Sequence, residues 1–216
     1  MNPRPVIYVI DDDTAVRDSL AELGRMMGCT VRCHESAMEF LNSVDSYETG
    51  CIILDIRMPG MSGLELQETL SQRRCHLPII IVTGHGDVPM CVSAIKAGAV
   101  DFLEKPYSPE ELVHSIRNAL DLDTRQRVEK QERNAIRTQI SLLSSGERQV
   151  LRGVADGKTN KRIADELDIS LRTVQLRRAS IKKKLSIDSK SEMVQLVRRA
   201  LVANVGAFEV EKCVAQ

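Results

Sequence analysis

Three short runs of the chain are apolar throughout: Val6–Ile10 (VIYVI), Cys51–Leu54 (CIIL) and Ile79–Val82 (IIIV). A strand with one face in water alternates apolar and polar residues. A run with no polar position is buried on both faces, the condition of a strand inside a parallel sheet covered by helices. Thr30–His34 and Val100–Leu103 are weaker strand candidates. The stretches between them carry helix start signals. Ser36-Ala-Met-Glu39, Ser62-Gly-Leu-Glu65 and Ser108-Pro-Glu-Glu111 each set Ser three residues before Glu, the capping-box pattern, and the last has Pro at the first helical position. This β–α alternation, repeated five times by residue 120, predicts an α/β doubly wound five-stranded parallel sheet.

Beyond residue 120 the pattern changes. From Asp121 to Gln139 apolar residues thin to Val128, Ala135 and Ile136 among many charges, with no Pro or Gly. The stretch reads as a continued exposed helix or a helical linker; two sparse heptads leave a coiled-coil seam open. From Leu143 strand signals vanish. Ser144-Ser-Gly-Glu147 opens a helix that ends at Gly157, Thr159 can cap a second over Asn160–Leu167, Ser170 a third over Leu171–Leu185, and Ser189-Lys-Ser-Glu192 opens a fourth to Ala203. The expected organisation is a first domain over residues 1–120, a charged, helical joining segment over 121–139, an all-α helix-turn-helix domain over 140–204 and a poorly ordered tail over 205–216.

Charge follows the same division. Residues 1–120 carry 10 basic and 17 acidic side chains, and residues 140–204 carry 14 and 7, so a net of −7 faces a net of +7 within a chain of zero net charge. An acidic half joined to a basic half implies two tasks, one of them with a polyanion. The absence of Trp and an aromatic content of 3% argue against base-stacking recognition of single strands. No apolar run is long enough to cross a membrane and Met1-Asn-Pro-Arg-Pro does not begin a signal peptide, so a cytoplasmic location with no membrane partner is expected. The six cysteines form no C-x-x-C pair and read as free thiols.

Polar residues cluster where the strands end. Asp11, Asp12 and Asp13 follow the first, Asp55 the third, Thr83 ends the fourth and Lys105 follows the fifth. In an open parallel sheet the ligand crevice lies at the carboxyl ends of the strands. Carboxylates gathered there repel one another, and a divalent cation with oxygen ligands and open water positions, such as Mg2+, relieves the repulsion. Such a site suits an incoming phosphoryl group, with a carboxylate as nucleophile and the cation and lysine neutralising the transferring oxygens. Asp55, single and central, is the candidate nucleophile; Asp11 and Asp12 are candidate ligands. For Asp13, capping the next helix is an equal alternative.

These residues carry a resemblance. Asp11-Asp12-Asp13, Asp55-Ile-Arg-Met58-Pro59-Gly-Met-Ser-Gly63, Thr83-Gly84-His-Gly-Asp-Val-Pro89, Lys96-Ala-Gly-Ala and Asp101-Phe-Leu-Glu-Lys105-Pro106 resemble the flavodoxin-like receiver domain of two-component response regulators, in particular the FixJ and NarL type. The resemblance implies that Asp55 accepts phosphate from a sensor histidine kinase. It implies that Asp11, Asp12, Asp55 and the backbone carbonyl of Arg57 hold Mg2+. Lys105 pairs with the phosphoryl group, the peptide before Pro106 is cis, and Thr83 and Phe102 reorient as a switch. An ordinary core role for Phe102 is the alternative.

In the basic half, Gly153-Val-Ala-Asp-Gly157-Lys158-Thr159 superficially matches a phosphate-binding loop, but it is one residue short between its glycines and follows a helix rather than a strand. Gly157 is better explained as a helix stop. The two helices around Asp168-Ile-Ser170 predict a helix-turn-helix, with Val174, Ile181 and Leu185 as the inner stripe of the second helix. Leu143 to Leu151, Asn160 to Ala164, Thr173-Val174 and Lys184-Leu185 resemble the LuxR-type DNA-binding domain. The resemblance makes Lys161, Arg172, Thr173, Gln175, Leu176, Arg178, Ala179, Lys182 and Lys183 the candidate contacts to double-stranded DNA. Gln175 can pair with adenine, Leu176 can touch a thymine methyl, and Arg and Lys can reach phosphates. Two positions depart from the pattern: Gly146 stands where Arg is usual and Arg177 where His is usual. An Arg there can pack its stem inward or reach a phosphate.

The expected function is a DNA-binding transcriptional regulator, not an enzyme, in which phosphorylation controls homodimerisation and DNA binding and activates transcription with RNA polymerase. An aspartyl-phosphate phosphatase is disfavoured because Arg57 stands where such enzymes carry a second Asp. A phosphorylation-independent regulator, its first domain only a dimerisation module, is the alternative.

Overall fold

The computed structural model describes residues 4–43, 47–84 and 88–202. His85–Asp87 of the Gly84–Pro89 run, Ala203, the expected tail over 205–216 and Cys213 lie outside the described residues. The chain divides into two compact units, Met1–Gln126 and Arg127–Gln216.

The first unit alternates β1 (Val6–Ile10), α1 (Thr14–Met26), β2 (Thr30–His34), α2 (Ala37–Ser43), β3 (Gly50–Asp55), α3 (Gly63–Gln72), β4 (Ile79–Thr83), α4 (Val88–Lys96), β5 (Asp101–Glu104) and the start of α5 (Pro109–Ser141). The strands form one parallel sheet in the order β2-β1-β3-β4-β5, the flavodoxin-like doubly wound arrangement. The three all-apolar runs are its central strands, and every residue in them is buried. Alternate side chains sort to opposite faces. Tyr8, Ile52, Leu54 and Ile81 pack with Phe40, Leu66 and Leu70 on one side. Ile7, Val9, Ile53 and Ile80 pack with Leu20, Leu112 and Ile116 on the other. Each such buried side chain contributes ~1.5–3 kcal/mol, so the central strands anchor the sheet. β2 and β5 lie at its edges and are partly exposed, which is why their sequences carry a weaker signal.

The second unit holds α6 (Ser145–Ala155), α7 (Asn160–Glu166), α8 (Leu171–Leu185) and α9 (Lys190–Val202) around one core that includes Ile140, Val150, Ile163, Val174, Ile181 and Leu196. The expected caps are present: Ser144 with Glu147 forms a full capping box, and Thr159 and Ser170 accept from Arg162 N–H and Thr173 N–H. In the first unit Ser62–Glu65 and Ser108–Glu111 close both bonds of the box. At Ser36 only half forms, because the Glu39 carboxylate accepts from Glu35 N–H instead. Gly157, at φ 78, ends α6 in the left-handed region as expected.

The charged stretch 121–139 is helical throughout, inside α5. Its ends are packed rather than free: the buried Asp123 accepts from Gly50 N–H at 2.9 Å in the first unit, and Ile136 is buried in the core of the second. Asp123 continues the stripe Leu112, Ile116, Ala119 at helical spacing, a signal its charge concealed. The described cysteines are free thiols, and no helix among the described residues is long and apolar enough to cross a membrane.

Candidate functional site

The sheet brings the polar strand ends to one rim. Asp11 follows β1, Asp55 ends β3, Thr83 ends β4 and Lys105 follows β5. Asp11, Asp12 and Asp55 each direct a carboxylate oxygen into one group whose atoms lie within 4.8 Å of one another. Asp11 and Asp55 are buried and Asp12 is exposed. Asp13 is not part of the group: it is the N-cap of α1, its carboxylate accepting from Ala15 N–H at 2.8 Å. Asp11 is fixed from two sides, by Asp13 N–H at 2.9 Å and by Lys105 Nζ at 2.6 Å.

Burial pushes the Asp55 carboxyl above the usual range, and Asp11 adds to that, while Lys105 and the Ile56 and Arg57 N–H groups oppose it. Asp55 Oδ1 is buried and has no hydrogen-bond partner. Burial alone lowers the Lys105 ammonium, but its bond to Asp11 and the charges of Asp11 and Asp55 outweigh this and leave it raised. A buried oxygen without a donor, beside two further carboxylates and one ammonium, fits a divalent cation with oxygen ligands.

The loop after Asp55 is held by a close approach. Gly63 N–H donates to Ile56 O at 2.9 Å, and a Cβ on Gly63 would stand 2.2 Å from Asp55 O. Only glycine lets α3 begin so close to the site, a role the spacing alone did not reveal. Thr83 is fully buried, and its carbonyl accepts from Lys105 N–H at 2.8 Å. The Lys105–Pro106 peptide is cis. Phe102, opposite Ile81, is half-buried against the apolar layer.

In the second unit α7 and α8 meet at a turn in which Asp168 has φ 50. Val174, Ile181 and Leu185 are buried, as their spacing predicted. Arg172, Gln175, Leu176, Ala179 and Lys183 are exposed on the opposite side of α8, and Lys161 is exposed on α7. Three other candidates are engaged by the fold itself: Arg178 donates to Asn160 Oδ1, Lys182 to Asp188 O, and Thr173 shares a hydrogen bond with the Ser170 hydroxyl. Sequence reading did not reveal the Glu147 network. This buried carboxylate accepts from Ser180 Oγ at 2.6 Å, Lys184 Nζ at 2.7 Å and Ser144 N–H at 2.7 Å. Nothing along the sequence signals the two α8 partners, because they are brought in by packing.

Residues 7–117 match the model of the response regulator receiver domain, and residues 141–197 match that of the bacterial regulatory proteins of the luxR family. The chain belongs to the response regulators. Relatives match over about nine-tenths of the chain. Response regulator protein TmoT of Ectopseudomonas mendocina is 45% identical over 194 residues, covering 90% of this chain and 88% of that protein. Transcriptional regulatory protein FixJ of Azorhizobium caulinodans is 45% identical over 199 residues, covering 92% and 93%. The low-resolution structure of the response regulator StyR matches with a TM-score of 0.82 and 40% identity over 91% of this chain and 100% of that one. Full-length FixJ from B. japonicum matches at 0.58 and 41% over 93% and 99%. The chain is a DNA-binding transcriptional response regulator, not an enzyme.

Proposed function

We propose that Asp55 is the phosphoacceptor, that its phosphorylation by a sensor histidine kinase drives homodimerisation, and that the dimer binds DNA and activates transcription with RNA polymerase. The buried, unpartnered Oδ1 of Asp55 between Asp11, Asp12 and Lys105 carries the reading. Asp11, Asp12, Asp55 and the Arg57 carbonyl are the proposed Mg2+ ligands. When bound, the ion supplies positive charge to the transferring oxygens.

The chain's own groups do the rest. An Asp55 carboxylate oxygen attacks the phosphorus of a phosphohistidine; the O–P bond forms, the N–P bond breaks, and the imidazole leaves with the electron pair. Lys105, poised on Asp11 at 2.6 Å, is in reach of the same pocket and transfers its ammonium toward the added charge. A phosphoryl group brings ~1.5–2 negative charges and strong acceptors. The Thr83 hydroxyl turns to it, and Phe102, half-buried on β5, turns inward behind. Residues 1–120 act as the receiver, 121–139 join it to the reading domain, and 140–204 bind DNA. Lys161, Arg172, Thr173, Arg178, Lys182 and Lys183 serve the backbone, and Gln175, Leu176 and Ala179 the bases. Two domains double the phosphate contacts that one small domain can offer.

Sedimentation of wild type and Asp55→Asn with Mg2+, with and without beryllofluoride, tests this. The wild type alone is expected to shift from monomer to dimer. A wild type that does not shift overturns phosphorylation-gated dimerisation.

A further inference from the structure

The two departures from the LuxR-type pattern meet in space. Gly146 lies in the first turn of α6, and Arg177 lies on the flank of α8 that also carries Ser180 and Lys184. A Cβ on Gly146 would stand 2.6 Å from the guanidinium carbon of Arg177 and 2.7 and 2.9 Å from its terminal nitrogens. The guanidinium therefore fills the space that any larger residue at position 146 would take. Arg177 as a whole is half-buried.

Three other cations on the same helix differ in how their charge is held. Lys184 is paired with the Glu147 carboxylate at 2.7 Å, and Arg178 and Lys182 donate to Asn160 and to the Asp188 carbonyl. Arg177 makes one long bond, from Nη1 to Gly146 O at 3.5 Å, and has no carboxylate partner among the described residues. A half-exposed guanidinium with five donors and one long bond inside the protein keeps donors available to an anion, and a phosphate accepts them in charge-assisted pairs. Arg177 is one turn from Thr173 and adjoins Leu176 on the helix that presents the base-reading side chains.

We propose that Gly146 and Arg177 are a matched pair: the glycine opens a seat that holds the Arg177 guanidinium ready for a DNA backbone phosphate, making Arg177 a DNA contact beyond those assigned above. The glycine suits the seat rather than the helix, since alanine is the better helix former.

The test is the binding of the full chain to a mixed-sequence duplex by fluorescence anisotropy across a salt series, with far-UV circular dichroism on each variant. Each phosphate neutralised contributes about 0.9 to the slope of log affinity against log salt. Arg177→Gln keeps the stem and is expected to lower the slope by about 0.9 per bound chain and to weaken binding about fivefold near physiological salt. Arg177→Lys keeps the slope. Gly146→Ala displaces the guanidinium and weakens binding while helix content is kept, and adding it to Arg177→Gln weakens binding no further. An unchanged slope in Arg177→Gln, or unchanged affinity in Gly146→Ala, overturns the proposal. Should Arg177→Gln fail to fold, Gly146→Ala and Arg177→Lys carry the same test.

Discussion

Replacing Glu147 by Gln removes the charge at the centre of the second unit while keeping its shape. In the native protein burial raises the Glu147 carboxyl, but the hydrogen bonds from Lys184, Ser180 and Ser144 outweigh it and bring it from 4.5 down to about 2. Each tenfold change in proton affinity is worth ~1.4 kcal/mol, so the interactions are worth at most about 3 to 4 kcal/mol at neutral pH. The Lys184 side chain is 39% exposed, and solvent screening of that partner reduces the expected figure to about 2 kcal/mol. A depressed carboxyl stabilises the fold above the unfolded value and loses that contribution as pH falls through the folded one. The gap between wild type and Glu147→Gln should therefore be full above about pH 5 and fall to less than half near pH 3. Urea unfolding followed by two signals isolates it. Tyr8, Tyr47 and Tyr107 all lie in the first unit and Trp is absent, so tyrosine fluorescence reports that unit alone, while far-UV circular dichroism reports both. The tyrosine midpoint should not move, and the helical transition seen only by circular dichroism should. A gap that is the same near pH 6 and pH 3, or one below about 0.5 kcal/mol at neutral pH, refutes the reasoning.

Three more outcomes are expected. Gly63→Ala puts a Cβ 2.2 Å from Asp55 O; the variant should lose about 1–3 kcal/mol in the tyrosine-monitored transition and fail to dimerise with beryllofluoride. Lys105→Met removes the ammonium that competes for Asp11, so Mg2+ should bind roughly tenfold more tightly by calorimetric titration at low salt, while the beryllofluoride response is lost; weaker Mg2+ binding contradicts the pairing seen at 2.6 Å. Ile140→Ala, at a fully buried position of the second core, should destabilise the circular-dichroism transition by about 2–5 kcal/mol and leave the tyrosine transition in place.

What was legible in the sequence was local or periodic. The doubly buried strands announced themselves because Val6–Ile10, Cys51–Leu54 and Ile79–Val82 admit no solvent-facing residue, and their burial holds at every position. The caps were legible because a Ser and a Glu three residues apart lie within bonding reach in the first turn of a helix, and those at Ser62 and Ser144 close both bonds. The gathering of Asp11, Asp55, Thr83 and Lys105 followed from topology, since parallel strands end on one rim. Tertiary packing decided the rest. That Lys105 rests on Asp11, that Asp55 Oδ1 is left without a donor, and that Asp123 closes onto Gly50 depend on groups 94 and 73 residues apart or on solvent excluded by the whole fold. Glu147 read as half of a capping box, and only the packing of α8 against α6 gave it Ser180 and Lys184. Gly146 and Arg177 read as two unrelated departures; they are one feature, because the space that one side chain vacates is visible only where the chain returns to fill it.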